Sequence, residues 1–251
     1  GYTFYHTSQI IGFECTISSA LALASRAPHG HETGPPPMFV LCTLEDKVRL
    51  APKDLRLDTA DAVTAVLEKT YLDRVIPDLG LVVTLYDLLD IGDGYVFQSD
   101  GGVHHDTTFR VVAFRPSQEE VLVGEVISQD ERTGVHVGLG FFEDIIIPPY
   151  GMPEPHSWDP EEKAWSWDLE GEEGASQLYF ETGLPVRLQV TGLTYTPPPT
   201  PVDQSAAQSR GDPIPGSADC PHAPLVVTAK ADGDGLGMVH WYDEGAMEEG
   251  S

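Results

Sequence analysis

The chain has 251 residues, of which 40 are acidic and 14 basic, and its formal net charge is −26. That length suits one large domain or two small ones, and a hydrophobic content of 41% is typical of a globular protein. Because phosphate contacts require Lys or Arg, the acidic balance argues against autonomous binding to nucleic acid. No run of about 18 apolar residues predicts a membrane-spanning helix.

The three cysteines, at positions 15, 42 and 220, are odd in number and widely separated. They predict neither a disulfide framework nor a paired-cysteine zinc site, and they are typical of a reducing compartment. The sequence contains no catalytic-serine elbow, phosphate-binding loop or dinucleotide fingerprint. We therefore predict a protein without catalytic residues, metal or cofactor.

The folded protein is predicted to begin at Met38, where three prolines lead into the apolar, β-prone run Met38–Leu44. Residues 1–37 are interpreted as a poorly ordered extension, or as sequence upstream of the natural start. Residues 38–117 are predicted to form a small α+β domain. Asp58 and Thr59 are candidate caps for a helix with apolar residues at helical spacing. Further strands are predicted at Leu81–Leu89, Tyr95–Phe97 and Thr107–Phe114.

Residues 118–246 contain short predicted strands at close intervals, which is the spacing of a small β-barrel. These strands are Val121–Ile127, Gly134–Leu139, Asp144–Ile147, Pro185–Val190, Leu225–Val227 and Gly235–Trp241. An acidic, aromatic stretch between the third and fourth is expected to wrap against the barrel. Residues 196–223, rich in Pro and Ser, are predicted to be a flexible insertion, and residues 247–251 an acidic tail.

A candidate surface for single-stranded nucleic acid lies on the second and third predicted barrel segments. Glycines allow such strands to coil, and exposed aromatic side chains form platforms on which unpaired bases stack. The candidates are His136, Phe141 and Phe142, with Arg132 in the preceding turn as a phosphate contact. The alternative is that these aromatic side chains pack in the core.

Two further patterns favour structural explanations over metal binding. His104 and His105 are adjacent on an extended segment and point to opposite faces, so an exposed loop is favoured over a metal site. The run Asp232–Asp234 begins like a calcium loop, but Leu236 stands where an oxygen ligand belongs, which favours a hairpin turn.

Several motifs resemble one known family, the larger stalk subunit of eukaryotic RNA polymerase III, which is related to the corresponding polymerase II subunit and to its archaeal counterpart. The similar segments are Met38–Leu41, Ala113–Pro116, Gly134–Pro149, Trp165–Trp167 and Gly235–Trp241. The acidic run that follows Phe141 and Phe142 is absent from the polymerase II relative, which favours the polymerase III family.

The resemblance implies an N-terminal RNP-like, SHS2-type tip domain followed by an S1-like OB-fold barrel. It implies a non-catalytic nuclear subunit that pairs with a smaller helical stalk subunit and docks on the polymerase III core. Initiation factors and nascent single-stranded RNA are the further partners implied. The residues expected to face the core are Met38, Phe39, Val40, Gly92, Asp93, Gly94 and Tyr95.

Two rival hypotheses stay open at this point. A free-standing OB-fold RNA-binding protein is disfavoured by the net charge. The equivalent stalk subunit of another nuclear RNA polymerase is disfavoured by the Phe141–Asp144 run.

Overall fold

The computed structural model describes residues 3–4, 12–16, 38–98, 100–171, 174–200 and 222–242. The chain divides into two compact units, residues 1–116 with 195–224 and residues 117–194 with 225–251. Within the described ranges, no helix is long and apolar enough to cross a membrane.

The first unit is a sheet with one helix packed against it. Its strands are β1 (Thr3–Phe4), β2 (Gly12–Thr16), β3 (Phe39–Leu50), β4 (Arg74–Ile76), β5 (Gly80–Ile91), β6 (Tyr95–Val96) and β7 (Val103–Phe114). They lie in the order β1-β4-β5-β7-β3-β2, and β6 pairs with β7. The long strands β3, β5 and β7 form its antiparallel centre.

Helix α1 (Thr59–Tyr71) begins where the sequence predicts it. The Asp58 carboxylate accepts a hydrogen bond from a first-turn backbone N–H at 3.1 Å and so caps the helix. The buried residues follow helical spacing: Ala62, Val63, Leu67 and Tyr71. The Tyr71 ring lies 5.2 Å from that of Phe109 on β7, and its hydroxyl donates to Asp46 at 2.6 Å. The core of this unit therefore lies between α1 and the central strands.

Two short strands lie in the segment predicted to be a poorly ordered extension. Strand β2 pairs antiparallel with β3, and β1 pairs parallel with β4. These two strands differ from the predicted lack of order. The edge of a sheet presents unpaired backbone N–H and C=O groups, and an added strand forms hydrogen bonds with them. The remainder of residues 1–37 lies outside the described residues.

One cysteine differs from the sequence-based prediction. Cys42 is disulfide-bonded, so the prediction that no disulfide forms was wrong for this residue. In the β2–β3 register the residue opposite Cys42 is Cys15. Separation along the sequence argued against a disulfide, but pairing between strands places distant segments side by side.

The second unit is built on a closed barrel and a separate three-stranded sheet. Its strands are β8 (Val121–Asp130), β9 (Gly134–Gly138), β10 (Ile145–Ile147), β11 (His156–Asp159), β12 (Ala164–Gly171), β13 (Gly174–Tyr179), β14 (Pro185–Tyr195), β15 (Leu225–Lys230) and β16 (Gly237–Met238). The barrel order is β8-β9-β10-β15-β14, and β14 pairs back with β8. Because β10 and β15 are parallel, this closed five-stranded barrel is consistent with an OB-fold, and the predicted fold class is confirmed.

The acidic, aromatic stretch forms the antiparallel sheet β11-β12-β13, a regular structure that the sequence analysis did not predict. Trp165 Nε1 donates to the carbonyl of Asp130 at the end of β8, at 3.1 Å. Trp165 and Phe180 are buried, and Phe180 lies 5.0 Å from Trp241 between ring centroids. These contacts hold the sheet against the barrel, as the prediction of a wrapping segment expected.

The segment between β14 and β15 contains the predicted insertion. The described ends of this segment, residues 195–200 and 222–224, group with the first unit, although the segment connects two barrel strands. The backbone N–H of Thr196 donates to the carbonyl of Pro224 at 3.0 Å, which brings the two ends of the segment together. Most of the predicted insertion, residues 201–221, lies outside the described residues, as do residues 243–251 of the tail region.

Candidate interaction surfaces

The turn between β8 and β9 positions Arg132 at the surface of the barrel. The Asp130 carboxylate accepts hydrogen bonds from the backbone N–H of Arg132 at 2.8 Å and of Thr133 at 3.2 Å. The hydrogen bond from the Arg132 backbone is the largest of the effects that lower the pKa of Asp130. The turn is therefore fixed by its own acidic residue, and the Arg132 side chain stays exposed.

His136 lies in the middle of β9, between Ser128 of β8 and Ile146 of β10. Its side chain is partly exposed, and its Nε2 lies 2.9 Å from Oγ1 of Thr133. The imidazole and Arg132 are thus at the same end of the β8–β9 hairpin.

Phe141 and Phe142, which the sequence analysis treated as equivalent, occupy different environments. The Phe141 side chain is 39% exposed, whereas Phe142 is fully buried. The chain turns at Gly140, where φ is 85°, and the N–H of Leu139 donates to the carbonyl of Phe142 at 2.8 Å. The prediction that Phe142 presents a stacking surface was therefore wrong, because the turn directs its ring into the barrel core.

An apolar strip on the outer face of β8 was missed by the sequence analysis. Val121, Val123 and Ile127 are 44%, 54% and 44% exposed. Ile127 lies over Gly138 of β9, where a side chain at position 138 would collide with it. The period of two in a strand is the signal that could have identified this strip, since it places Val121, Val123 and Ile127 on the same face of β8. Glu125 and Glu143 are also exposed here, so the surface combines apolar and acidic groups.

The tip of the first unit is formed by residues 92–97, which comprise the β5–β6 connection at residues 92–94, strand β6 and Phe97. The backbone N–H of Gly92 donates to the carbonyl of Asp106 at 2.7 Å. A Cβ at Gly94 would lie 2.8 Å from Cε1 of His105, so only glycine fits this position. The loop is therefore held tightly against β7.

Aromatic side chains cover this tip. The Phe97 ring lies 5.4 Å from that of Tyr95 and 5.0 Å from that of His104. Lys47 Nζ lies 5.6 Å from the centroid of the Tyr95 ring. Val96 and Phe97 are 61% and 53% exposed, so the tip presents apolar side chains to solvent. These two residues were not among the partner-binding residues predicted from the sequence.

A charged network supports the aromatic side chains. The Asp100 carboxylate accepts hydrogen bonds from Arg49 Nη2 at 2.6 Å and Nε at 2.7 Å. The other partner is His104, whose Nε2 lies 2.6 Å from Asp100 Oδ2. Arg49 and then His104 hold the pKa of Asp100 well below its usual range.

We expect an Asp100→Asn variant to lose thermal stability at neutral pH. The folded-state pKa of Asp100 is depressed, so its carboxylate stabilises the fold above the unfolded pKa of about 3.9. That contribution is lost as pH falls from there through the folded-state pKa. Melting temperatures measured from neutral to acidic pH should therefore differ between parent and variant at pH 7 and begin to converge below about pH 4. Asp93→Asn, an exposed change in the same tip, is the control, and a pH-independent difference would contradict the assignment.

The three residues at the start of the first domain are less accessible than predicted. Met38 and Phe39 are partly exposed, and the Phe39 ring lies 5.9 Å from that of Phe114. Val40 is buried within the hydrophobic core of the unit. Its predicted role in partner binding was therefore wrong, because the alternation of β3 turns its side chain inward.

His104 and His105 lie on β7 rather than in the exposed loop that the sequence analysis favoured. His105 is buried, and its Nδ1 lies 2.9 Å from the carbonyl oxygen of Gly92. No group of metal-ligating side chains is found within the described part of the chain. The two histidines therefore shape the tip from opposite faces of one strand.

Fold and surfaces together define a class of two-domain binding subunits, with a small α+β domain carrying an apolar tip and an OB-type barrel. Residues 120–242 match the family described as RNA polymerase III subunit Rpc25. Residues 45–101 match the SHS2 domain found in the N terminus of Rpb7p, Rpc25p and MJ0397.

Named proteins from distant organisms are similar to most of the chain. The DNA-directed RNA polymerase III subunit RPC8 of Bos taurus is 34% identical over 206 residues, covering 82% of this chain and 98% of the relative. The Schizosaccharomyces pombe subunit of the same name is 31% identical, covering 82% of this chain and 100% of the relative. The archaeal subunit Rpo7 of Sulfolobus acidocaldarius is 27% identical and covers 43% of this chain and 59% of the relative.

The chain belongs to the RPC8 (Rpc25) family of DNA-directed RNA polymerase III subunits. Members of this family are non-catalytic stalk subunits, so the resemblance inferred from the sequence motifs is confirmed.

Proposed function

We propose that the first domain docks this subunit on the polymerase III core together with a smaller helical stalk subunit, within the nucleus. The tip formed by residues 92–97 is the contact proposed for the core. The observation that carries this proposal is the pair of exposed apolar side chains, Val96 and Phe97, on a rigid support. Large apolar groups held in one conformation lose little side-chain entropy when they bind, which suits an anchoring contact.

The support beneath the tip limits its motion in several independent ways. Arg49 and His104 both bind Asp100, and the backbone of Gly92 is bound to β7. Met38 and Phe39 belong to a second proposed contact of the same domain, since both keep part of their surface exposed. Docking is thus attributed to buried apolar area rather than to charge, which is consistent with the acidic balance of the chain.

The barrel is proposed to contact initiation factors and nascent RNA along β9. Arg132 and His136 supply a cation and an imidazole near the β8–β9 turn, and Phe141 supplies an exposed ring beyond the opposite end of β9. The exposed carboxylates of Glu125 and Glu143 weaken attraction to phosphate. The apolar strip on β8 favours a protein factor as the main partner, with RNA as a secondary one.

We expect the double substitution Val96→Ser/Phe97→Ser to reduce recovery of the polymerase. The tagged variant is expressed in its own cells, and the co-purifying chains are quantified by mass spectrometry. Truncating a central aromatic anchor typically costs about 2 kcal/mol or more, so core subunits should fall by roughly thirtyfold. The matched control, Val121→Ser/Val123→Ser, removes exposed apolar surface from the barrel.

The control variant should recover the core as the parent does. Equal recovery with both variants would overturn docking through the tip. Recovery of another polymerase, or of RNA-binding factors alone, would instead support one of the rival functions.

A further inference from the structure

A groove beside α1 gathers positive charge on a chain that is strongly acidic. This cavity of about 440 Å³ is lined by Lys53, Lys69 and Arg74 among other residues. The whole sequence has only 14 Lys and Arg side chains, so three at one groove form a marked local concentration. Among the residues that the structure describes, Asp54 is the one carboxylate that lines this cavity.

The lysines of the groove differ from three other cations of the same unit. Lys47, Arg49 and Arg110 each form an ion pair with an aspartate. Lys53 and Lys69 form none within the ranges that the structure describes. Their charges are exposed and not neutralised by a neighbouring carboxylate within ion-pair distance.

The rest of the lining is apolar except for Thr70. Leu57 is 58% exposed at one side of the groove, immediately before the cap of α1. Helix α1 contributes Ala65 and Val66, whose small or medium side chains leave room for a ligand close to the helix. The groove therefore offers cations and aliphatic surface together.

We propose that this groove binds an acidic segment of a partner polypeptide that also carries leucine or similar aliphatic side chains. Its carboxylates would meet Lys53 and Lys69, and its aliphatic groups would pack on Leu57, Ala65 and Val66. The net charge of −26 does not prevent this, because at physiological ionic strength charges more than about 8 Å apart are largely screened. Local attraction in the groove therefore exceeds repulsion from the remote acidic surface.

Nucleic acid fits the groove less well than an acidic peptide. Binding of single strands combines backbone contacts to cations with stacking of bases on aromatic side chains. The residues that line the cavity include no aromatic side chain, whereas they include four aliphatic ones. The proposal concerns a surface distinct from the tip at residues 92–97, and it does not depend on docking through that tip.

The test uses the full chain and three fluorescent probes in anisotropy titrations at physiological salt. The first probe is a short peptide of Asp, Glu and Ser with spaced Leu residues. In the second peptide every Leu is replaced by Ser, and the third probe is oligouridylate. The proposal expects the leucine-bearing peptide to bind the parent protein more tightly than either of the others.

Charge reversal at the groove then tests whether peptide binding depends on the groove lysines or on the net charge of the chain. Lys53→Glu/Lys69→Glu should weaken binding of the leucine-bearing peptide by about tenfold or more, since like charges then face each other. The control Lys163→Glu/Lys230→Glu changes the net charge equally in the second unit, outside the proposed interaction surfaces, and should bind as the parent does. Ala65→Glu, on the exposed side of α1, is a second variant that blocks the groove if the double reversal fails to fold.

Three results would overturn the proposal. They are failure of the leucine-bearing peptide to bind the parent, equal binding of the serine peptide, and equal weakening by the control reversal. Tighter binding of oligouridylate that depends on Lys53 and Lys69 would assign the groove to nucleic acid instead.

Discussion

A Gly134→Ala variant is expected to lose roughly 2–6 kcal/mol of unfolding free energy in the barrel, since backbone strain and overpacking each cost about 1–3 kcal/mol. Gly134 opens β9 with φ at 98°, a conformation that L side chains rarely adopt. A Cβ there would lie 2.1 Å from the carbonyl oxygen of Ile147, which belongs to the neighbouring strand β10. Because backbone atoms cannot rotate away as a side chain can, the β9–β10 pairing must shift. Urea unfolding followed by tryptophan fluorescence measures the loss.

Gly140→Ala is the matched control for this substitution. Gly140 also has a positive φ, 85°, but an added Cβ would meet nothing within 4 Å. Only the conformational cost of about 1–2 kcal/mol should then appear. Equal destabilisation by the two variants would contradict the role assigned to the close approach at Ile147.

A Phe142→Ala variant is expected to lose about 3–5 kcal/mol of unfolding free energy, which is the usual cost of removing a buried phenylalanine. The Phe142 ring is among the largest fully buried side chains of the protein. Its removal leaves a cavity among barrel residues that are themselves closely packed. The same urea unfolding experiment measures the effect.

Phe141→Ala is the neighbouring control, and it also tests contact with RNA. Since the Phe141 side chain is 39% exposed, its truncation should cost less than about 1 kcal/mol. If the barrel contacts nascent RNA through this surface, the variant should assemble normally and show weaker cross-linking to the transcript. Unchanged cross-linking would exclude this ring from RNA contact, and a stability loss equal to that of Phe142→Ala would contradict the orientations of the two rings.

The distribution of charge and apolar surface suggests how such a subunit works without chemistry of its own. Its acidic surface suppresses unspecific attachment to nucleic acid, which is valuable beside a polymerase that handles DNA and RNA. Under the proposed function, specific contacts are left to the limited apolar areas that the fold exposes, at Val96 and Phe97 on the tip and at Val121, Val123 and Ile127 on the barrel. Each of these areas lies on a strand or next to one, so the strand backbone determines the positions of its side chains.

Much of the architecture was predictable because it rests on local patterns. The cap at Asp58 and the apolar spacing of α1 indicated the helix, and short strand-like runs at close intervals indicated most of the barrel strands. The sheet formed by β11 to β13 was not predicted, although Trp165, Trp167 and Leu169 alternate with polar residues, because this acidic and aromatic stretch was interpreted only as a segment that wraps against the barrel. The pairing of β10 with β15 could not be predicted from local sequence patterns, since about 80 residues separate these strands.

The sequence by itself determined the two-domain α+β and barrel organisation, the family and the acidic character of the surface. Those properties follow from composition, local periodicity and motifs of consecutive residues. Only the tertiary structure decided that Phe141 faces solvent while Phe142 and Val40 are buried. It also paired Arg49 with Asp100 and placed Lys53 and Arg74 in the lining of the same groove. These outcomes depend on strand register, on the turn at Gly140 and on contacts between distant segments, none of which is encoded in the spacing of neighbouring residues.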